Sequence, residues 1–273
     1  MPAALALVAF NILEGLRPLA QREPERRLLD RQRRAAAIGL IRDLNPDILV
    51  LNEALFCRAH AGQAVDYGSL FGFPHQAAAL YDGAWGNAIL SRHPITSSGE
   101  LRIHERGGLT AVIGTPLGAL TVASYHPHPS RSPENKARDF ANLVAPLPGP
   151  LIVCGDFNAI SPEDASDRAQ LIAAFRSFAS EPEQTVDRFL ASGELVFAEL
   201  AKFGLRDAIP ADGRRYSIPT DLINLDKRSG MRIDHILANA AVEVVAGEVV
   251  HSPHSNRASD HHPVLLKFRL ASP

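Results

Sequence analysis

A short apolar run that ends abruptly in polar side chains is the strongest constraint on how this chain can fold. Residues 151 to 154 are all apolar, and a Gly-Asp-Phe-Asn sequence follows, which places Asp156 and Asn158 two positions apart. A run of this length predicts a short strand covered on both faces, and Gly155 permits a tight turn before the acid. In extended backbone the two polar side chains would share a face. A polar strand end that closes a turn is an equally good interpretation of this segment by itself.

Two earlier apolar runs end in the same way. Residues 4 to 10 lead into Asn11, and residues 48 to 51 lead through Asn52 into Glu53. An acid that emerges from a buried run costs on the order of several kcal/mol unless it is paired or bound to a cation. A metal ligand is therefore a better interpretation of Glu53 than a salt-bridged acid. For Asn11, a turn amide that hydrogen-bonds its own backbone is as good an interpretation as a site residue.

The second half of the chain carries further acids and histidines. Residues 231 to 237 predict a strand with Asp234 at its middle, which is again an unfavourable position for an acid without a partner. Asp260, His261 and His262 precede a terminal apolar strand. Neighbouring residues on extended backbone point to opposite faces, so only one of the two histidines can face a given pocket.

A hairpin and one further strand supply weaker candidates. The hairpin is predicted over residues 109 to 125, with its turn at residues 116 to 118, and it leads into His126. A lone histidine is more often a packed or surface residue than a functional one. The strand predicted from residue 86 contains Asn87, for which a sheet-edge amide is at least as good an interpretation as a site residue.

The remaining segments predict helices and one long connection. Helices are predicted over residues 24 to 44, over residues 133 to 144 after Ser132 as N-cap and, with an interruption at Glu181-Pro182, over residues 160 to 204. Acids alternate with the arginines of the first helix, which favours a solvated face over a DNA-binding patch. Residues 205 to 230 form a long polar connection, which indicates either a role in substrate choice or ordinary surface variation.

Composition limits the class of protein. The chain has 273 residues, of which 46% are hydrophobic, so it can bury a large core. No low-complexity linker divides it, which favours one domain over residues 1 to 273. A net charge of −2 excludes a global positive field that would attract nucleic acid or an anionic membrane. Cys57 and Cys154 are too few for a disulfide framework, and Cys154 is best interpreted as a small core residue.

No targeting or spanning segment is predicted. The first apolar run has no basic segment before it and is followed at once by polar residues, which indicates a strand and not a signal peptide. No apolar run reaches the roughly 18 residues that a membrane span needs. We therefore expect a cytoplasmic protein, and we infer no obligate protein partner.

Taken in chain order, these motifs resemble the endonuclease/exonuclease/phosphatase superfamily of metal-dependent phosphoesterases. The Gly-Asp-Phe-Asn sequence at residues 155 to 158 is similar to the central signature of the family. The Ser-Asp-His-x-Pro-Val motif at residues 259 to 264 resembles its terminal signature closely. Glu53 matches a strand-end glutamate of the family, although members usually carry Gln before it and this chain has Asn52. His126 matches the members with a histidine at this strand end, whereas the DNA-repair branch carries Tyr there.

The resemblance implies a fold and a set of roles. The implied fold is a four-layered α/β sandwich, in which two packed mixed β-sheets are flanked by helices and the site lies where the strand ends converge. The family pattern assigns a divalent metal, Mg²⁺ or Mn²⁺, to Glu53, Asn11 and Asp260. It assigns catalysis to Asp156, His261, Asp234, His126 and Asn158, and places near the substrate His126, Asn158 and Asn87. His262 is then a structural residue.

The implied reaction is hydrolysis of a phosphoester bond by a water molecule that Asp156 deprotonates. A small phosphodiester or phosphomonoester is narrowly favoured as substrate, because the acidic balance of the chain argues against a large polynucleotide footprint. An endonuclease or exonuclease acting on DNA or RNA is the alternative. A non-catalytic binding module on the same fold is a remote alternative, since Glu53, Asp156 and His261 are all present.

Overall fold

Two six-stranded β-sheets pack face to face in the part of the chain that the structure describes, and helices cover their outer sides. The structure is a computed structural model that describes residues 4–16, 24–55, 66–81, 85–103, 106–164, 167–176, 180–222 and 230–271. The strands are β1 (Leu5–Asn11), β2 (Ile48–Leu55), β3 (His75–Tyr81), β4 (Trp85–Ser91), β5 (Ile95–Ile103), β6 (Arg106–Thr115), β7 (Gly118–Tyr125), β8 (Leu151–Asp156), β9 (Arg206–Asp207), β10 (Asp234–Ala238), β11 (Val242–Val249) and β12 (Val264–Leu270). The helices are α1 (Pro24–Leu44), α2 (Tyr67–Phe71), α3 (Pro133–Val144), α4 (Arg168–Phe175), α5 (Pro182–Ala201) and α6 (Ser255–Ala258), with short 3₁₀ turns at Glu14–Leu16 and Ala211–Gly213.

Both sheets are mixed. The first has the spatial order β11-β12-β1-β2-β4-β3, and the second has the order β5-β6-β7-β8-β10-β9. The pairs β1/β2 and β7/β8 are parallel, and the other neighbours are antiparallel. This architecture confirms the fold that the sequence motifs implied.

The alternation of side chains along each strand builds two kinds of core. One set of side chains fills the space between the sheets, and it includes Leu7, Ala9, Val50, Ile113, Val122, Ile152 and Ile236. The intervening residues of β1 and β2 pack outward with residues of α1, and those of β7 and β8 pack outward with residues of α3 and α5. The central strands are therefore buried on both faces, which explains their continuous apolar sequences.

Strand direction brings the polar strand ends to one edge. In the parallel pair β1/β2, Asn11 lies beside Asn52, so both strands deliver polar residues to the same end. In the antiparallel pair β8/β10, the end of β8 meets the start of β10, and Asp156 lies opposite Asp234. The segment that precedes β12 reaches this edge as well, because β12 runs antiparallel to β1.

The structure differs from the sequence-based expectations at three places. The strand that contains Asp234 begins at this residue and not at residue 231, because Met231 instead forms an isolated bridge with Ile218. Strand β2 continues past Glu53 to Leu55, with an irregular register at the glutamate. Among the described residues between 160 and 204, the α-helical ones are 168–175 and 182–201, and residues 161–164 form a turn.

Other expectations agree with the structure or lie outside it. Helix α1 has the predicted bounds, and α3 begins after Ser132, whose Oγ atom accepts a hydrogen bond from the Asn135 main-chain nitrogen at 3.3 Å. Cys57 and residues 223–229 of the long connection lie outside the described residues. Among the helices that the structure describes, none has both the length and the apolar character needed to cross a bilayer.

Gly193 of α5 lies too close to a neighbouring loop to accept a side chain, which leads to the first prediction. A Cβ atom there would lie 1.7 Å from the main-chain oxygen of Ile160, because the helix touches the loop that follows β8. In an open helix Gly→Ala stabilises by about 1 kcal/mol. Here the added methyl group must displace backbone, so Gly193→Ala should destabilise the fold by about 1–3 kcal/mol.

Urea unfolding followed by circular dichroism measures this change, with Glu194→Ala on the exposed side of the same helix as control. The control should change the free energy of unfolding by less than about 0.5 kcal/mol. A more stable Gly193→Ala protein would contradict the close approach of helix and loop.

Candidate active site

The polar residues singled out in the sequence meet at one edge of the two sheets. Asn11 ends β1, Glu53 lies within β2, and Asp156 ends β8. The others lie at neighbouring strand ends or in the loops beside them: His126, Asn158, Asp234, Asp260 and His261. Asn87 of β4 lies beneath them, inside the protein.

Glu53 projects into the site from an irregular point of β2. Its backbone has a φ of 54°, and the pairing of β2 with β4 shifts register between Leu51 and Ala54. The Oε2 atom accepts a hydrogen bond from the Glu14 main-chain nitrogen at 3.0 Å. The bulge explains how an acid can leave a buried strand toward the site while its neighbour remains in the interior.

The Asn11 amide joins two of the acids. Its Nδ2 atom lies 3.4 Å from Glu53 Oε1 and 3.1 Å from Asp156 Oδ2, so one nitrogen touches both carboxylates. Its Oδ1 atom accepts from the Leu13 main-chain nitrogen at 3.0 Å. Glu53 and Asp156 therefore share one site, as the sequence motifs predicted.

Glu53 and Asp260 bring two negative charges close to one another. Burial raises the pKa of Asp260, and the nearby Glu53 adds to the rise, although His261 opposes it. In the part of the chain that the structure describes, no lysine or arginine nitrogen lies within 4.0 Å of either carboxylate. These two acids thus have no lysine or arginine of the described residues in contact, although His261 Nε2 lies 4.0 Å from Asp260 Oδ1. Their carboxylate oxygens are of the kind that a hard divalent ion prefers as ligands.

The fit of Asn11 as a further metal ligand depends on its amide orientation. With Nδ2 directed at Glu53 and Asp156, the amide satisfies the carboxylates directly. A cation would require the Oδ1 atom in this place, because an amide nitrogen has no lone pair to offer. The donor set therefore fits Mg²⁺ or Mn²⁺ with Glu53 and Asp260 as the charged ligands. Asn11 would join them through Oδ1 only after giving up the hydrogen bond from the Leu13 main-chain nitrogen that now holds this oxygen.

His261 lies between two buried acids. Its Nδ1 atom is 2.7 Å from Asp234 Oδ2, and its Nε2 atom is 3.8 Å from Asp156 Oδ2. Burial opposes the charge of the imidazole, but Asp234, Asp260 and Asp156 outweigh it and raise the pKa of His261 well above its ordinary value. The geometry therefore favours an imidazolium that is oriented by Asp234 and points into the site.

His262 points away from the site, as its position next to His261 predicted. Its Nδ1 atom lies 2.9 Å from Ser255 Oγ, and its ring stacks on that of His251 with centroids 4.0 Å apart. Burial lowers the pKa of His262 to about 3. It is a neutral packing residue.

Asp156 is held as a carboxylate. Its Oδ2 atom lies 3.2 Å from His126 Nε2, and its Oδ1 atom accepts from the Asn158 main-chain nitrogen at 2.9 Å. Burial alone would raise the pKa of Asp156, but His126 and His261 outweigh it and hold the pKa below its usual range.

A neighbouring arginine, Arg106, fixes the orientation of His126. The Arg106 Nη1 atom lies 2.7 Å from His126 Nδ1 and 3.3 Å from Nε2. A guanidinium has only donors, so His126 Nδ1 accepts and Nε2 carries the proton toward Asp156. Arg106 has no local signal in the sequence, because it starts β6 and faces the site only once β6 and β7 are paired.

The sequence predicted that Asn158 and Asp156 share one face of an extended strand. In the structure they do not. Strand β8 ends at Asp156, and Asn158 has a φ of 47°, so the chain turns between them. The Asn158 Nδ2 atom donates to the Pro127 main-chain oxygen at 2.9 Å. The turn, and not strand alternation, places both side chains at the site.

Asn52 and Asn87 support the site from below. The Asp156 main-chain nitrogen donates to Asn52 Oδ1 at 2.9 Å, and Asn52 Nδ2 donates to Asn87 Oδ1 at 2.8 Å and to Ser124 Oγ at 3.1 Å. Asn87 Nδ2 in turn donates to the Gly107 main-chain oxygen at 2.7 Å. Asn87 is fully buried and both of its polar atoms bind protein, so this geometry favours a supporting role over the substrate contact expected from the sequence.

Gly155 is required by this network. It has a φ of 137°, and a Cβ atom there would lie 2.7 Å from Asn52 Oδ1 and 2.9 Å from the Tyr125 main-chain oxygen. The glycine of the Gly-Asp-Phe-Asn sequence therefore allows the Asn52 amide to reach the backbone of β8.

Tyr81, at the end of β3, also borders the site and had no sequence signal. Its ring centroid lies 5.4 Å from the Arg106 guanidinium carbon. Burial raises the pKa of Tyr81 to about 12, with Glu53 and Asp156 adding to the rise and Arg106 opposing it.

Comparison with known proteins agrees with this geometry. The model of the endonuclease/exonuclease/phosphatase family matches residues 8–261. A comparison with curated proteins gives no match. Among solved structures, an endonuclease/exonuclease/phosphatase from Beutenbergia cavernae is 22% identical, with a TM-score of 0.72 over 99% of this chain and 72% of that one.

Two other solved structures have the same fold at lower identity. An AP endonuclease from Archaeoglobus fulgidus is 17% identical, with a TM-score of 0.66 over 96% of this chain and 98% of that one. ANGEL2, a 2′,3′-cyclic phosphatase in complex with adenosine-2′,3′-vanadate, is 17% identical. Its TM-score is 0.65 over 98% of this chain and 96% of that one. Because the family match extends over residues 8–261, which include the whole site, the chain belongs to the endonuclease/exonuclease/phosphatase family.

Proposed function

We propose that this protein is a divalent-metal-dependent hydrolase that cleaves phosphoester bonds with water. Family membership supports phosphoester hydrolysis. The observation that carries the assignment to this chain is Asp156, a buried carboxylate held between His126, His261 and the Asn11 amide. This arrangement suits a group that must orient a water molecule beside an anionic ester.

Glu53, Asp260 and Asn11 would hold the divalent ion, for the reasons of charge and donor type given above. The ion, when bound, polarises a phosphoryl oxygen and stabilises negative charge on the leaving group. Mg²⁺ and Mn²⁺ both take oxygen ligands of this kind. The surroundings of Glu53 and Asp260 thus support a metal requirement without fixing the identity of the ion.

Asp156 would accept a proton from the attacking water. Its low pKa keeps it ionised, and its Oδ1 atom is fixed by the Asn158 main-chain nitrogen. Asn158 would bind a phosphoryl oxygen through the second hydrogen of Nδ2, the first being donated to Pro127. His126 would bind one by sharing the Nε2–H that it now directs at Asp156. His261, charged and oriented by Asp234, would donate to the negative charge that develops in the transition state.

A small phosphodiester or phosphomonoester is the favoured substrate, and a nuclease activity is the alternative. The net charge of −2 gives no broad attraction for a polynucleotide. Two of the three solved structures named above represent these two classes, since one is a 2′,3′-cyclic phosphatase and the other an AP endonuclease. A panel of aryl phosphodiesters, 2′,3′-cyclic nucleotides, phosphomonoesters and oligonucleotides, assayed with Mg²⁺, Mn²⁺ or chelator, tests the proposal.

Substitution of the general base gives the second prediction. Asp156→Asn should lower kcat by roughly 10²–10⁴, the usual contribution of a positioned base, while the fold stays intact. Steady-state kinetics on the best ester of the panel measure the change. Asp43→Asn, at an exposed site on α1, is the matched control and should leave kcat unchanged. A near-normal rate for Asp156→Asn would remove Asp156 from the reaction.

Substitution of the proposed metal ligand gives the third prediction. Glu53→Gln keeps the shape of the side chain and removes its charge, so it should weaken Mn²⁺ binding at least about tenfold, equivalent to 1.4 kcal/mol. Calorimetric titration of metal-free protein with Mn²⁺ reports this directly and needs no substrate. Glu100→Gln on exposed β5 is the control. Equal Mn²⁺ affinity in Glu53→Gln and in the unmodified protein would argue against Glu53 as a ligand.

The effect of salt on turnover gives the fourth prediction and separates the two substrate classes. For a small ester, kcat/KM should change by less than about threefold between 50 and 200 mM salt, because few charges are screened. A polynucleotide held through six to ten phosphates would lose about 10³–10⁵ in affinity over this range. Preferred cleavage of an oligonucleotide with such a steep dependence would favour the nuclease alternative.

A further inference from the structure

Lys136 is a buried charged group that the proposed reaction does not use. It lies on α3, and its relative exposure is 0%, whereas lysines are rarely buried completely. Its neighbours on the inner side of the helix, such as Phe140 and Leu143, are the apolar residues expected there. A lysine at such a position therefore requires a reason other than packing.

The contacts of Lys136 are few and specific. Its Nζ atom donates to the Asn158 main-chain oxygen at 2.7 Å and lies 5.0 Å from the centre of the Phe189 ring. No carboxylate in the described part of the chain lies within 4.0 Å of Nζ. An ammonium group has three hydrogens to donate, so a single carbonyl and an aromatic face satisfy it only in part.

The environment of Lys136 is unfavourable for its charge. Burial lowers the pKa of Lys136 to about 7, and Arg188 adds to the fall, while Asp156 opposes it. An apolar side chain of the same length would avoid this desolvation. The charge of Lys136 thus carries a desolvation cost near neutral pH, and its one hydrogen bond goes to the Asn158 main-chain oxygen beside the site.

The carbonyl group that Lys136 holds belongs to the residue at which the chain turns. Asn158 has a φ of 47°, in the left-handed region that asparagine enters more readily than other residues with a side chain. The same turn is fixed by the bond from the Asn158 main-chain nitrogen to Asp156 Oδ1 and by the bond of the next carbonyl group, that of Ala159, to His235 Nε2 at 2.9 Å. Lys136 acts on the peptide that follows Asn158, where rotation would carry the Asn158 side chain out of the site.

We infer that Lys136 is a positioning residue, which keeps the turn at residues 156–158 in its reactive geometry by donating a hydrogen bond to the Asn158 main-chain oxygen. The inference rests on the proposed function, because it takes Asp156 and Asn158 as the groups that act on water and phosphate. It adds a residue from outside the strand-end motifs, located on a helix behind the site.

The fifth prediction uses Lys136→Met, which keeps the length of the side chain and removes the donor. It should lower kcat about 10–100-fold, the usual effect of losing a group that orients a catalytic residue, with KM changed by less than about threefold. The urea midpoint should stay unchanged or rise at pH 7. Lys202→Met, at an exposed lysine just after α5, is the matched control and should change neither quantity.

Two further variants test whether the effect passes through the turn. In an Asn158→Ala background, Lys136→Met should cause a much smaller additional loss of kcat than in the unmodified protein, because the group that it positions is already absent. Lys136→Arg retains the donor and should recover most of the lost rate. An unchanged kcat in folded Lys136→Met, or a loss of rate that merely parallels a loss of stability, would overturn the inference.

Two readouts are independent of activity. The unfolded chain keeps the lysine proton up to about pH 10.4, whereas the folded chain releases it near pH 7, so the unfolded state binds more protons between these values. The stability of the unmodified protein relative to Lys136→Met should therefore rise as the pH increases from 7 to 10. A crystal structure of Lys136→Met should show Asn158 displaced from its positive φ.

These readouts separate the two possible failures. If no phosphoester is hydrolysed by the unmodified protein but Asn158 moves in the crystal structure of Lys136→Met, the proposed function fails and the positioning contact stands. If esters are hydrolysed and neither kcat nor the Asn158 backbone responds to Lys136→Met, the positioning role fails and the proposed function stands.

Discussion

The hydrogen bond from the Asp156 main-chain nitrogen to the Asn52 side chain connects the two sheets directly beneath the site. Asn52 belongs to β2 of one sheet and Asp156 to β8 of the other, and the same amide also contacts Asn87 and Ser124. Sheet packing by apolar side chains is not directional, so it cannot by itself fix the relative position of strand ends to a fraction of an ångström. A fully satisfied polar network in a buried setting can do so.

The charges above this network are arranged in two groups with different partners. Glu53 and Asp260 lie near each other without a lysine or arginine of the described residues in contact, which leaves negative charge for a cation. Asp156 and Asp234 instead contact His126 and His261. One site thus contains acids suited to hold a metal ion and acids suited to orient imidazoles and water, and the nearest partners distinguish them.

The backbone around the site departs from regular structure at several residues. Positive φ values occur at Glu53 and Asn158, and Leu13 and Glu14 have them as well. Strain of this kind persists only where the surroundings impose it. The surroundings here are identifiable: a bulge in β2 for Glu53, Lys136 for Asn158, and Arg33 for the loop after β1, where the guanidinium donates to the main-chain oxygens of Ile12 and Leu13.

The sequence by itself determined the apolar runs, the polar residues at their ends and the family resemblance, because side-chain burial and strand period are local properties that a run of residues displays. It thereby predicted the double sheet and named the residues from Asn11 to His261 that meet at one edge. Tertiary structure alone decided which atoms face one another. Lys136 and Arg106 carry no local signal, and their roles arise from a helix and a strand that reach the site from distant parts of the chain. Asn87 looked like a site residue and lies beneath the site, because the pairing of β2 with β4 turns its amide toward Asn52.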